Sequence, residues 1–179
     1  MNTWITSDIH LGHTKIIEYA PKYRQYSDVD EMNEAIVAGW NAQVQPDDLT
    51  YILGDVAFCN PKKATEFMHR MNGRKILIEG NHDRKLVKDA AFRACFEEIH
   101  KYHEVNYNGV KLVMCHFPFL EWNQMQNGSL HFFGHVHGDK TGQEQYRCKD
   151  VGMDATGQIV ITMKDAIASI INNEIKKHH

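Results

Sequence analysis

Two histidines separated by one residue stand out in Phe133-Gly134-His135-Val136-His137-Gly138. Imidazole exchanges a proton near neutral pH and is a common ligand for divalent transition metals. The pair follows the apolar run 129–133, which reads as a strand. An extended backbone puts residues i and i+2 on one face, with Cα atoms roughly 6.5–7 Å apart. Two imidazoles so placed suit one metal ion, or one each of two neighbouring ions. Gly134 and Gly138 let the chain turn tightly and leave room for a bulky group.

Four earlier places repeat this grammar. The β-branched and aromatic run 3–7 leads into Asp8-Ile-His10, and the run 48–53 delivers Gly54-Asp55. The run 74–79 delivers Gly80-Asn81-His82-Asp83, and another apolar run ends in Cys115-His116. Asn81 offers a neutral oxygen, His82 a proton, and Asp83 a carboxylate able to orient His82. Cys115 beside His116 suggests a thiol nucleophile at first sight. Neighbours on an extended chain point apart, however, so His116 is read as a ligand.

Sites in open α/β sheets gather at the carboxyl ends of strands. Five such ends supply oxygen and nitrogen donors with no thiolate, a set suited to Mn2+, Fe or Zn2+ rather than to structural zinc. The donors exceed what one ion takes, so two ions are expected. Such a pair can share a bridging hydroxide and clamp a phosphoryl group for in-line attack.

The elements between the clusters must position them. A helix is expected from Leu11-Gly-His13 to Ala20, stopped by Pro21. A second starts in Ser27-Asp28-Val29-Asp30-Glu31 and runs to about Val44, with Met32, Ala35, Ile36 and Trp40 at helical spacing. Asn60-Pro61 starts a third, to about Met71, whose Lys62, Lys63, His69 and Arg70 read as a solvated face. Residues 84–95 also look helical. Asn108-Gly109 marks a hairpin joining arms 98–107 and 110–115. His100 and His103, three apart on one arm, face opposite sides and are not read as a metal pair. Polar loops at 119–130 and 139–147 flank the last motif, with Phe119, Trp122 and His131 read as packing. A strand near 158–161 and a helix from Lys164 follow.

The 179 residues suit one domain, 1–177, with His178 and His179 set aside as tag residues. Charged residues make up 24% and the net charge is −3, which argues against gripping long nucleic acid. The beginning shows no signal-peptide pattern, and no apolar run approaches the roughly 20 residues of a membrane-spanning helix. The four cysteines form no C-x-x-C pair. A cytoplasmic protein with reduced thiols is expected.

Taken in order, Asp8-Ile-His10, Gly54-Asp55, Gly80-Asn-His-Asp83, His116 and Gly134-His-Val-His137 resemble the calcineurin-like metallophosphoesterase superfamily. Thr6-Ser-Asp-Ile-His-Leu-Gly-His13 and His116-Phe-Pro…Trp122 are similar to its small bacterial and phage-type branch. The resemblance implies an α+β fold, a four-layer α/β/β/α sandwich of two mixed β-sheets flanked by helices. It implies two divalent metal ions, with Mn2+ the leading candidate and Fe, Zn2+ or Ni2+ as alternatives. Asp8, His10 and His137 would hold one ion, Asn81, His116 and His135 the other, and Asp55 would bridge them. His82 would stabilise the transition state or protonate the leaving oxygen, with Asp83 fixing its ring. His13 and Arg84, beside the motifs, are candidates for touching substrate phosphate. The expected activity is hydrolysis of phosphate mono- or diesters of small molecules, nucleotides or cyclic nucleotides among them. The alternatives are a nuclease-type phosphodiesterase and a catalytically idle protein-binding scaffold of the same fold. No membrane partner is expected, and the sequence leaves the oligomeric state open.

Overall fold

The computed structural model describes residues 1–176. His178 and His179 lie outside the described residues. The chain runs through β1 (Thr3–Thr6), α1 (Ile16–Tyr19), α2 (Val29–Gln43), β2 (Leu49–Ile52), α3 (Pro61–Arg70) and β3 (Arg74–Ile78). It continues through α4 (Ala90–Arg93), β4 (Glu98–His100), β5 (Tyr102–Tyr107), β6 (Val110–Cys115) and β7 (Leu130–Phe133). The last elements are β8 (Cys148–Asp150), α5 (Met153–Thr156), β9 (Ile161–Thr162) and α6 (Met163–Ile170).

Two mixed sheets result. The first has the order β4-β3-β2-β1-β9, parallel except for β9. The second has the order β5-β6-β7-β8, an antiparallel hairpin followed by two parallel pairings. Alternation along the inner strands sorts side chains to the two faces of the first sheet. Trp4, Ile52 and Leu77 face α2 and α3, where they meet Met32, Ile36, Trp40, Phe67 and Met68. Ile5, Leu53, Ile76 and Ile78 face the second sheet and pack on Leu112, Met114, Leu130 and Phe132. Each such side chain contributes roughly 1.5–3 kcal/mol on burial.

The helices begin where side-chain chemistry tells them to. Asp28 accepts from the Asp30 and Glu31 amides, Glu31 reaches back to the Ser27 amide at 2.7 Å, and Asn60 accepts from the Lys63 amide ahead of Pro61. α6 turns Met163, Ala166 and Ile170 into the inter-sheet core. The outer face of the second sheet is covered by Trp122 and Met125, from a segment with a 3-10 turn, over Val113, Phe133 and Cys148.

Three expected elements come out differently. The helix over 11–20 contracts to α1, because Gly12 at φ +76° opens a turn that brings His13 back against His10. The helix over 84–95 divides into a 3-10 turn, Asp83–Lys88, and α4, since Asp89 caps a new start by accepting from the Ala91 and Phe92 amides. The arm 98–107 breaks at Lys101, where the chain leaves the first sheet at β4 and enters the second at β5. His100 and His103 therefore do not face apart, and their rings stack with centroids 4.4 Å apart.

Candidate active site

The carboxyl ends of β1, β2, β3, β6 and β7 meet at one rim, stitched by backbone amide-to-carbonyl hydrogen bonds between their loops. Asp8 donates to the Gly54 carbonyl at 3.0 Å, and Gly134 to that of His116 at 2.9 Å. Asp8, His10, Asp55, His135 and His137 all have left-handed backbones, with φ of 55, 55, 52, 72 and 51°. That region costs a non-glycine residue about 1–2 kcal/mol, and it persists where the surroundings over-determine it. The expectation that Asp8/His10 and His135/His137 lie on extended backbone is thereby corrected. Neither pair sits in a strand, and sharp turns just past β1 and β7 aim the side chains instead.

Glycines make the turns fit. A Cβ on Gly54 would meet Gly80 Cα at 2.6 Å, and one on Gly134 would run into Ser7 Oγ and Asp8 Oδ2.

Asp8 and Asp55 are wired alike. Each gives one carboxylate oxygen to the backbone amide of a site histidine, Asp8 Oδ2 to His135 at 2.9 Å and Asp55 Oδ1 to His82 at 3.0 Å. Their remaining oxygens face imidazole Nε2 atoms. His10 Nε2 is 3.8 Å from both Asp8 Oδ1 and Asp55 Oδ2, His137 Nε2 is 3.7 Å from Asp8 Oδ1, and His116 Nε2 is 3.6 Å from Asp55 Oδ2.

The other ring nitrogens are held from behind. His116 Nδ1 donates to the Leu53 carbonyl at 2.7 Å, and His137 Nδ1 donates to Asp154 Oδ2 at 2.7 Å. His10 Nδ1 lies 3.0 Å from His13 Nδ1. Such partners fix tautomer and ring angle and leave Nε2 free for a cation. Asn81 Oδ1 sits 3.0 Å from His116 Nε2, and the His135 ring lies 5.1 Å from that of His116. The predicted ligands thus converge in two groups that share Asp8, one of Asp8, His10 and His137, the other of Asp8, Asp55 and His116.

A cation fits this donor set. Asp8 Oδ1 and His10 Nε2 are buried and have no hydrogen-bond partner among the described residues. A buried unpaired polar atom costs about 1–3 kcal/mol, and two of them facing each other beyond hydrogen-bond reach are what a metal would satisfy. Burial works against ionising Asp8, yet the neighbouring His10, then His116 and His137, outweigh it and hold the carboxyl at about 2. The carboxylate form needed for ligation is therefore the one present.

Around the rim lie the other predicted residues. His82 has a 45% exposed ring, its Nε2 3.8 Å from Asp55 Oδ2 and its centroid 4.3 Å from that of Phe58. His13 stacks on Phe58 at 3.9 Å, and burial, with His10 and His82 nearby, lowers its pKa to about 4. A cavity of about 720 Å³ opens here, walled by His13, Tyr19, Tyr23, Phe58 and Val136 beside His10 and His137. Arg84 is exposed and lines a separate cavity with Asn81 and His82.

Asp83 departs from expectation. Its carboxylate is fully buried and accepts from the backbone amides of Gly80, Asp55 and Val56 at 2.9, 2.9 and 3.0 Å. It clamps the loops after β2 and β3, where the expectation had it fixing the His82 ring.

Two functional-site residues escaped the sequence reading. Arg24, buried between α1 and α2, donates to both Asp154 oxygens and to the carbonyls of Asp8 and Ile9. Asp154 in turn holds His137, and that hydrogen bond is the chief cause raising the His137 pKa. No motif marks either residue; Asp154 shares only the habit of standing shortly after a strand, here β8.

The sequence profile of the Calcineurin-like phosphoesterase family matches residues 1–141. The uncharacterized protein MJ1445 of Methanocaldococcus jannaschii is 33% identical over 138 residues, 76% of this chain and 69% of that protein. Among solved structures, the protein of unknown function AQ665 from Aquifex aeolicus superposes with a TM-score of 0.74 at 21% identity, covering 94% of this chain and 99% of the other. Pseudomonas putida nuclease MPE superposes with a TM-score of 0.51 at 19% identity, covering 75% and 61%. These likenesses in structure concern the fold. With the profile spanning every motif from Asp8 to His137, the chain belongs to the calcineurin-like phosphoesterases, a family of divalent-metal-dependent phosphoester hydrolases.

Proposed function

We propose that this phosphoesterase works with two divalent cations and hydrolyses phosphate esters of small molecules. Asp8, His10 and His137 would hold one cation, Asn81, His116 and His135 the other, with Asp55 shared. The pair of buried, unpartnered donors, Asp8 Oδ1 and His10 Nε2, carries this reading. When bound, two such cations neutralise phosphoryl charge and acidify the attacking water. Mn2+ is the proposed occupant, on the absence of any thiolate among the donors.

The protein's own groups do the rest. His82, reaching into the open rim beside Asp55, donates a ring proton to the leaving oxygen, a contribution typically of about 10²–10⁴ in rate. Phe58 packs against it and, backed by the stacked His13 ring, limits its swing. The aromatic cavity receives the organic part of the ester, and its 720 Å³ is the size of a small-molecule site. That wall, with a net charge of −3, favours a small ester over a long nucleic acid.

The test is turnover of p-nitrophenyl phosphate and bis-p-nitrophenyl phosphate, with Mn2+ and with chelator, alongside metal content. His82→Ala should lose activity and keep its metal, while Asp55→Ala should lose both. Equal metal loss in the two variants would overturn the division of roles. The ratio of the two substrates separates monoesterase from diesterase.

A further inference from the structure

We propose that Glu98, His100 and His103 form a second metal site, for a borderline divalent transition-metal ion such as Zn2+, that clasps the edges of the two sheets. The site shares no residue with the phosphoesterase cluster and does not rest on the reading of that cluster.

β4 is the edge strand of the first sheet and β5 the edge strand of the second, and the chain passes between them through Lys101 alone. Glu98 and His100 are two apart on β4 and so project to the same side. The crossing resets the alternation, which brings His103 of the next strand over His100, their rings 4.4 Å apart and inclined by 30°. One donor atom from each of the three lies within 4.8 Å of the other two, and His100 Nε2 is 2.6 Å from Glu98 Oε2.

The surroundings suit an ion arriving from solvent. The Glu98 side chain is 54% exposed and that of His100 33%, so a hydrated cation reaches them without opening the core. His103 is steadied by the Tyr51 ring at 5.8 Å and forms no side-chain hydrogen bond among the described residues. A surface His100–Glu98 ion pair by itself leaves that second imidazole without a polar role. Two imidazoles and a carboxylate suit Zn2+, Ni2+ or Cu2+, with water completing a tetrahedral shell. Because the ligands span two sheet edges, binding adds a tie across the junction at Lys101.

The test uses the full-length chain, stripped with chelator and dialysed against micromolar Zn2+. The His100→Gln/His103→Gln double variant should retain one Zn2+ fewer per chain than wild type. Its Mn2+-dependent phosphoesterase activity should be unchanged, and its Zn2+-induced rise in Tm should fall short of wild type by about 5 °C at saturating ion. Glu98→Gln, at an exposed position, repeats the comparison should the double variant fail to fold. Equal Zn2+ counts in wild type and folded variants overturn the proposal. So does a lost Zn2+ that takes the activity with it, since that ion belongs to the active site.

Discussion

Arg24 and Asp154, 130 residues apart in sequence, form a buried bidentate pair directly behind His137, with guanidinium–carboxylate distances of 2.8 and 3.0 Å. The same guanidinium reaches the backbone carbonyls of Asp8 and Ile9 at 2.6 and 2.9 Å. One side chain thus ties the turn that carries Asp8 to the carboxylate that orients His137. Two candidate ligands far apart in sequence, Asp8 and His137, share a single anchor.

Removing Arg24 leaves Asp154 buried with no cation beside it. Arg24→Met should destabilise the protein by about 3–5 kcal/mol, the usual effect of breaking a buried pair from one side. Asp154→Asn is gentler, since its amide oxygen still accepts from His137 Nδ1. It should weaken metal binding by about 10–100-fold with a smaller loss of stability. Metal titration and urea unfolding on both variants check this. Wild-type metal affinity in Asp154→Asn would sink the positioning role.

Asp83 holds three backbone amides, those of Asp55, Val56 and Gly80. In Asp83→Asn the new NH2 group faces at least one of those donors, so two hydrogens meet where an oxygen stood. Stability should drop by about 2–4 kcal/mol. The pH dependence of kcat/KM at saturating metal should keep its shape, because the His82 ring is not among the partners of Asp83. A displaced acidic limb in the variant would restore the role expected from sequence.

The ordered motifs made the candidate residues legible from the chain: Asp8, His10, Asp55, Asn81, His116, His135 and His137 stand at one rim because each follows a strand of one of two sheets whose carboxyl ends converge there. Their backbone was not legible. Alternation describes strands, and Asp8, His10, Asp55, His135 and His137 sit in left-handed turns enforced by contacts such as Asp8 Oδ2 with the His135 amide, which are remote in sequence. The same holds for Lys101. The run 98–107 has one unbroken strand-like pattern, and only the sheet positions of its neighbours β3 and β6 divide it. Arg24 carries no local mark at all, since its partners lie on three other segments, at Asp8 and Ile9, at Met32 and at Asp154. Asp83 was misassigned because adjacency to His82 in sequence stood in for contact.

Gly134 tests how tightly the site is closed from above. A methyl group there falls on Ser7 Oγ and Asp8 Oδ2, neither of which can retreat, because Ser7 Oγ donates to the Leu53 carbonyl and Asp8 Oδ2 accepts from His135. Gly134→Ala should shift Asp8 and reduce metal-dependent turnover by about 100-fold or more, as a displacement near 1 Å does to a positioned site. Gly142→Ala, where the Cβ would meet nothing within 4 Å, is the control, although its φ of +76° brings some strain of its own. Equal activity in the two variants would show that the rim yields more readily than its contacts imply.

His131 is fully buried, its Nδ1 donating to the Val113 carbonyl at 3.1 Å and its Nε2 accepting from the Phe119 amide at 3.2 Å. Both bonds belong to the neutral ring, and burial lowers its pKa to about 4. In the unfolded chain the imidazole titrates near 6.5. As pH falls below 6.5 the unfolded state takes up a proton that the folded state refuses until about 4. Stability is therefore complete above the unfolded value and is lost progressively between the two, by about 3 kcal/mol from this residue. His131→Gln can keep one donor and one acceptor without titrating, so its unfolding free energy should fall less steeply over that window. Other groups titrate here as well, so the quantity to measure is the difference between the two urea-unfolding curves at pH 7, 5.5 and 4. Parallel curves would mean that the ring is protonated in place, with a donor turned toward the Phe119 amide that the fold would have to move to accommodate.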